Sequence, residues 1–223
     1  MDSNLFNRII TSIILLLFLS ISLFINSYIL LFSLIIISLI SYIEFNSLTK
    51  KIWKKKNNIV FFVNIISILY LIFFTWITFK SYENPPIEII FVILICIFSD
   101  TGGYIFGKLI GGKKLSKISP NKTISGTVGS FLLSLMSIII LILMYKFSGN
   151  SIYIFKSYKS MILLCLVLSF ICQLGDLCIS YFKRKAKVKD TGSILPGHGG
   201  LLDRVDGLIF VLPAAFIINK IIY

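Results

Sequence analysis

The residues best suited to phosphate chemistry are concentrated in one polar stretch of an otherwise apolar sequence, between positions 175 and 207. This stretch holds four of the chain's nine acidic residues, six of its 22 lysines and arginines, and its only histidine, His198. Carboxylate oxygens are hard ligands for Mg²⁺, whereas cationic side chains and backbone N–H groups at a helix start hold phosphate oxygens. The composition therefore indicates a metal ion held against phosphates beside apolar segments.

The spacing of these residues predicts that several of them converge. If the apolar helix before the stretch continues past Asp176, residues at three- and four-residue intervals share one of its faces. Asp203 and Asp206, three residues apart at the start of the next apolar run, point in one direction for the same reason. The glycines of segment 196–200 exclude regular helix and let the backbone approach a ligand closely. We expect three carboxylates from two helix ends to meet, with Arg204 beside them. The residues of the first face are Asp176, Ser180, Lys183 and Lys187.

A plainer alternative is a solvated cytoplasmic loop whose charges only anchor the flanking helices. The paired aspartates, the glycine-rich turn and the lysines in helical register favour a site when they are taken together.

Several blocks of this sequence resemble the signature of the phosphatidate cytidylyltransferases (CDP-diacylglycerol synthases). SYFKR from Ser180, then KD, then PGHGGLLDRVD ending at Asp206 fill every fixed position of that signature over 27 residues. DTGGYIFGK from Asp100 and SPNKTISG from Ser119 resemble two further blocks of these enzymes. The resemblance covers roughly residues 100–207. It departs from the family at Ser125, where many members have a glutamate.

The resemblance implies transfer of CMP from CTP to phosphatidate, giving CDP-diacylglycerol and pyrophosphate in membrane phospholipid biosynthesis. It implies Mg²⁺ as the cofactor, and a second cation is left open. The predicted metal ligands are Asp176, Asp203 and Asp206. The predicted catalytic residues are these three with the phosphate-holding Lys183, Arg184, Lys189 and Arg204. The predicted substrate-binding residues are Asp100, Lys122, Thr123, Ser180, Asp190, His198, Gly199 and Gly200.

Two of these residues have alternative roles. Asp100, inside an apolar helix, is a further metal or water ligand or else orients a lysine, because a carboxylate at that depth needs a polar partner. For His198, a positioning hydrogen bond is favoured over general-base catalysis. A phosphomonoester has a second pKa near 6, so phosphatidate is mostly a dianion at neutral pH and is already a nucleophile.

Two other functions compete with this interpretation. A CTP-dependent lipid kinase, such as a polyprenol kinase, would use similar phosphate-binding residues but would need a general base and would transfer the γ-phosphate. A small transporter would also place acidic residues inside helices. The acidic residues of this chain cluster towards one end of the predicted helices, however, and do not line a path across them.

The elements that must position these residues are transmembrane helices. A content of 57% hydrophobic and 14% charged residues, with a mean hydropathy of +0.96, is typical of integral membrane proteins. We predict an all-α polytopic membrane protein of about seven spans and one domain, residues 1–223, with N-terminal spans in 1–98 and the catalytic half in 99–223. The first apolar run lacks a small-residue cleavage site, so an anchor is expected and not a removed signal peptide. The predicted spans are two in 9–43 with a turn at Asn26-Ser27, then 59–79, 87–110, 123–145, 161–176 and 207–222.

The basic residues orient these spans. With the N-terminus inside, 17 of the 22 lysines and arginines lie on the cytoplasmic side, as the positive-inside rule requires. This places both polar loops in the cytoplasm of a bacterial-type inner or plasma membrane. It also explains the net charge of +13 through topology and anionic lipid, without nucleic acid. The expected partners are CTP, phosphatidate and membrane lipids, and a homodimer is left open.

Single cysteines at Ser116, Ser193 and Ser81, in a protein stripped of its own cysteines, test this orientation with an impermeant thiol reagent on intact cells. Because CTP is cytosolic, both polar loops must face the cytoplasm, and labelling is expected at position 81 alone. Labelling of position 116 or 193 from outside would contradict the predicted orientation.

Overall fold

The computed structural model describes residues 3–82, 86–116, 118–148 and 158–222. Within these ranges the chain forms eight α-helices and no β-strand, so the predicted all-helical fold is confirmed. Two isolated bridges, Lys114 with Thr123 and Leu195 with Gly199, close loops. The helices are α1 (Ser3–Phe24), α2 (Ser27–Ile52), α3 (Asn57–Lys80), α4 (Ile87–Leu109), α5 (Ile124–Ser134), α6 (Met136–Ser148), α7 (Tyr158–Lys185) and α8 (Leu202–Ile222).

In the described part of the chain, five helical segments are long and apolar enough to cross a membrane: α2, α3, α4, α7 and the segment Ile124–Met144, which comprises α5 and most of α6. Each exceeds the roughly 20 residues that a hydrocarbon core of about 30 Å requires. In α1 the apolar part is shorter, Ile9–Phe24. A helix lies at each predicted span, with α1 separated from α2 at the predicted turn, where Asn26 caps α2. The count of seven crossings stays a prediction.

The chain divides into two compact units that interleave in sequence. The first unit comprises Met1–Pro86 and Ile179–Asp206, and the second comprises Ile87–Cys178 and Gly207–Tyr223. These boundaries do not coincide with residue 98. The predicted division there, into N-terminal spans and a catalytic half, stays a prediction. The interleaving assigns the end of α7, the loop after it and the start of α8 to the unit of the N-terminal helices.

In the first unit, α2 packs between α1 and α3. A small polar network joins α2 to α3: the Asn64 Nδ2 atom donates to Asn46 Oδ1 over 2.8 Å, and the Thr49 hydroxyl donates to Asn64 Oδ1 over 3.1 Å. Thr49 and its neighbour Leu48 have no exposed surface. Because buried polar groups need partners, this network fixes the contact between the two helices.

In the second unit, α4 and α5 pack with their backbones nearly in contact. A Cβ atom added to Gly102 would lie 2.3 Å from the carbonyl oxygen of Gly129, which no real packing allows. Small residues permit such close approach between membrane helices. Deeper in this unit, the buried hydroxyls of Ser99 in α4 and Ser169 in α7 pair over 3.0 Å. The close packing places Asp100 near the residues that precede α5.

The predicted continuation of α7 past Asp176 is confirmed, and the helix ends at Lys185. Lys187 has a φ of 56°, and the amides of Lys187 and Val188 donate back to the carbonyls of Arg184 and Lys183. This is the Schellman arrangement, with a lysine where glycine is usual. Lys187 therefore lies beyond the helix, and its predicted place on the helical face of Asp176 is wrong.

Candidate active site

The loop between α7 and α8 is organised around the carboxylate of Asp203. Its Oδ1 atom accepts from the Lys183 ammonium over 2.7 Å. Its Oδ2 atom accepts from the backbone N–H of Thr191 over 2.8 Å, from the Thr191 hydroxyl over 3.0 Å and from the N–H of Gly200 over 3.2 Å. Two predicted residues, Lys183 and Asp203, thus meet directly, whereas Thr191 was not predicted.

These donors change the acidity of Asp203. Burial by itself would raise the pKa of this carboxyl group, since the charged form loses water. The hydrogen bond and charge of Lys183, with the N–H and hydroxyl of Thr191, outweigh burial and hold the pKa of Asp203 below its ordinary value of 3.8. Asp203 is therefore a carboxylate at neutral pH.

A second carboxylate of this unit, Glu44, was not among the predicted site residues. Glu44 of α2 is only 3% exposed. Its oxygens accept from the backbone N–H of Leu201 over 3.0 Å, from that of Leu202 over 2.9 Å and from the Thr191 hydroxyl over 2.7 Å. Glu44 is the single acidic residue between positions 9 and 53, and the cost of burying a carboxylate was the available signal for a partner.

The glycine pair of the loop serves this packing. A Cβ atom on Gly200 would lie 2.0 Å from the Thr191 hydroxyl and 2.5 Å from Glu44 Oε2, so only glycine fits there. The Gly199 N–H donates to the carbonyl of Leu195 over 3.1 Å, and that of Gly200 donates to Asp203. Both amides are thus used within the loop, and their predicted assistance to a phosphate stays a prediction.

His198 lies against the hydroxyls of α1. Its Nδ1 atom is 2.5 Å from the Thr11 hydroxyl oxygen and its Nε2 atom is 3.4 Å from that of Ser12. The carbonyl of His198 accepts from the guanidinium of Arg204 over 2.8 Å. Both ring nitrogens of His198 therefore contact hydroxyls of the protein, an arrangement that suits a positioning residue.

The second unit contains a polar cavity of about 300 Å³. Lys122 forms an ion pair with Asp176 at its wall. Asp100, Thr123 and the buried Gln173 line the same space. Four predicted residues are thus brought together, whereas Gln173 was missed, although a glutamine in an otherwise apolar helix was itself a signal for a polar partner.

Thr123 and Ser125 shape the start of α5. Thr123 is the N-cap, and its hydroxyl accepts from the N–H of Gly126 over 3.0 Å. The Ser125 hydroxyl pairs with that of Thr123 over 2.9 Å and also donates to the carbonyl of Gly111. The serine that replaces the family's glutamate therefore ties the polar loop before α5 to the helix.

The remaining predicted residues lie at the end of α7, in the loop that follows it and at the start of α8. Ser180 is buried, Asp206 is half-buried, and Arg184, Lys189 and Asp190 are exposed.

Of the predicted metal ligands, Asp176 belongs to the second unit, and Asp203 and Asp206 belong to the first. Among the described residues, no group of three His, Cys, Asp or Glu side chains is close enough to hold a metal ion. The predicted shared ion stays a prediction.

The long apolar helices, with ion pairs between Lys183 and Asp203 and between Lys122 and Asp176, are typical of a helical membrane protein. A family model described as the cytidylyltransferase family matches residues 60–222. The chain belongs to the cytidylyltransferase family.

Three curated relatives are named phosphatidate cytidylyltransferase. Those of Staphylococcus haemolyticus and Staphylococcus aureus are 46% identical to this chain over 126 residues, and that of Staphylococcus epidermidis is 49% identical over 126 residues. Each alignment covers 56% of this chain and 46% of the relative. The chain therefore matches about half the length of these relatives.

The lowered pKa of Asp203 predicts a pH-dependent contribution to stability. A carboxyl group with a depressed folded pKa stabilises the protein above its unfolded pKa and loses that contribution as the pH falls through the folded value. Thermal unfolding of the solubilised protein should show Asp203→Asn less stable than wild type near pH 6, with the gap narrowing towards about pH 3. Asp190→Asn, an exposed aspartate of the same loop, is the matched control. A gap that does not change with pH would contradict the prediction.

Proposed function

We propose that this chain is an integral membrane phosphatidate cytidylyltransferase that transfers CMP from CTP to phosphatidate. The observation that carries the proposal is the loop of residues 180–206, in which Lys183, Thr191 and Asp203 form a preorganised carboxylate–cation cluster in a chain of the cytidylyltransferase family. The relatives' name supports phosphatidate as the acceptor.

In this reaction a phosphate oxygen of phosphatidate forms a bond to the α-phosphorus of CTP. The bond from that phosphorus to the β-phosphate oxygen breaks, and pyrophosphate leaves. Both substrates are polyanionic, so catalysis consists mainly of positioning and charge neutralisation. Lys183, Arg184, Lys189 and Arg204 supply positive charge for the phosphates, and Lys122 with Thr123 contacts the nucleotide.

The carboxylates suit a magnesium ion. Mg²⁺ in phosphoryl-transfer sites is commonly held by one or two carboxylates together with water and substrate phosphates. Asp203 in the first turn of α8, and Asp206 three residues later, offer such oxygens. The N–H donors that hold Asp203 resemble the outer hydrogen bonds that orient metal-binding carboxylates. A bound ion would neutralise charge that develops on the transferred phosphoryl group.

The proposed orientation follows from the basic residues. Seven crossings with the N-terminus inside put the loop before α5 and the loop before α8 in the cytoplasm, where CTP is available. Phosphatidate would reach the same surface from the bilayer.

The direct test is incubation of the purified protein with phosphatidate, Mg²⁺ and CTP labelled at either the α- or the γ-phosphorus. The α-label is expected in a lipid product and the γ-label in pyrophosphate. A γ-label in lipid would instead identify a kinase, and no label in lipid from either substrate would refute the proposal.

Asp203→Asn and Asp206→Asn, made separately, should each reduce turnover by more than about 100-fold, a loss of the scale seen for essential electrostatic groups. The reason is that each removes a charged oxygen ligand needed for transition-state charge. The measurement is CDP-lipid formation per folded protein, with folding checked by size-exclusion chromatography of the detergent-solubilised variants. Near-normal activity of either variant at saturating Mg²⁺ would contradict its assignment.

His198→Ala should reduce turnover less than either aspartate substitution and should keep the acid limb of the pH–rate profile. This is expected because the second ionisation of phosphatidate supplies the nucleophile and the imidazole is held by Thr11 and Ser12. The profile is measured from about pH 5 to about pH 9. Loss of the acid limb would instead identify His198 as the base.

A further inference from the structure

We propose that Glu44 of α2 is a positioning residue of the active site, whose buried carboxylate sets the place of Asp203 through Thr191 and the first turn of α8. The inference rests on the proposed function. It concerns a residue outside the part of the chain that the family model matches, residues 60–222.

The contacts of Glu44 are specific and cross a long stretch of sequence. Both of its oxygens are used, Oε1 by the N–H of Leu201 and Oε2 by the N–H of Leu202 and the Thr191 hydroxyl. These donors follow Glu44 by 147 to 158 residues. Hydrogen bonds to an ionised acceptor are shorter and stronger than neutral ones, so they hold the loop firmly against α2.

The start of α8 needs such an acceptor. The first N–H groups of a helix have no partner within the helix, and a Ser, Thr, Asp or Asn in the preceding position usually supplies one. Here the preceding residue is Leu201, whose side chain cannot accept a hydrogen bond. The carboxylate of Glu44 takes over this role from another helix, and its charge also matches the positive end of the α8 dipole.

Thr191 couples Glu44 to the predicted catalytic residue. Its hydroxyl lies 2.7 Å from Glu44 Oε2 and 3.0 Å from Asp203 Oδ2, and its backbone N–H donates to the same Asp203 oxygen. Thr191 is 4% exposed, and Gly200 beside it leaves no space for a Cβ atom. Because the loop is packed this tightly, loss of the Glu44 carboxylate must displace Thr191, and Asp203 loses two of its donors.

The alternative is that Glu44 serves folding alone, and the chain offers a matched control for this. Thr49 lies on the same helix, is fully buried and donates a hydrogen bond to Asn64, but its hydrogen bonds stay within α2 and α3. Thr49→Val therefore disturbs a buried polar contact of the same unit without touching the loop. A folding role predicts similar losses for both positions, whereas a positioning role affects Glu44 alone.

The test compares Glu44→Gln, Thr191→Val, the double variant and Thr49→Val as purified, monodisperse proteins. Glutamine keeps the size of the side chain but replaces an acceptor oxygen with an NH₂ group that faces N–H donors. We expect kcat to fall at least about tenfold for Glu44→Gln, equivalent to about 1.4 kcal/mol, with the KM for CTP changed by less than about threefold. Thr191→Val should lower kcat in the same sense, and the double variant should lose less than the product of the two effects. Thr49→Val should retain the wild-type kcat.

Hydrogen exchange gives a readout independent of turnover. The peptide that contains Leu201 and Leu202 should exchange faster in Glu44→Gln than in wild type, and should be unchanged in Thr49→Val. Wild-type kcat in Glu44→Gln, additive effects in the double variant, or an equal loss of kcat in Thr49→Val would overturn the inference. If Glu44→Gln does not fold, a wild-type kcat for Thr191→Val would overturn it. A wild-type protein that makes no CDP-lipid would refute the proposed function, and the exchange comparison would still decide whether Glu44 holds the loop.

Discussion

The carboxylates of Glu44 and Asp203 are largely shielded from water, and both accept hydrogen bonds from the loop before α8. A carboxylate in such surroundings is tolerated only when donors replace its lost hydration. Backbone N–H groups, one threonine hydroxyl and one ammonium fill that need here. The shape of the loop follows from this requirement, since only a glycine at position 200 lets Glu44 approach Thr191.

The second unit satisfies a similar need by different means. Asp100 and Asp176 lie beside a cavity, and Lys122 forms an ion pair with Asp176 at its wall. The close contact of α4 with α5 brings the polar loop before α5 to that cavity. Lys183 and Asp203 of the first unit also form an ion pair, but there the carboxylate is held in addition by the backbone N–H groups of Thr191 and Gly200.

Much of this organisation was predictable from the sequence because it is local. Apolar runs gave the helices, glycines and charges gave the polar loops, and spacing placed Asp203 and Asp206 in one helical turn. Glu44 was missed because its partners are far away in sequence, and an acid near the end of an apolar run also marks a helix end. Lys187 was misplaced because a lysine at a left-handed position carries no compositional signal. Hydrogen bonds between distant segments leave no periodic pattern, so sequence spacing does not report them.

The long sequence separation between Glu44 and its donors has a consequence for the order of events during synthesis. Because synthesis begins at the N-terminus, α2 is made well before residues 191–202. During this interval the hydrogen-bond donors of the Glu44 carboxylate do not yet exist. The unit that contains α2 and α3 therefore completes its polar contacts only after the start of α8 has been made. A chain whose synthesis has not reached residue 191 therefore lacks the three donors that contact Glu44 in the folded protein.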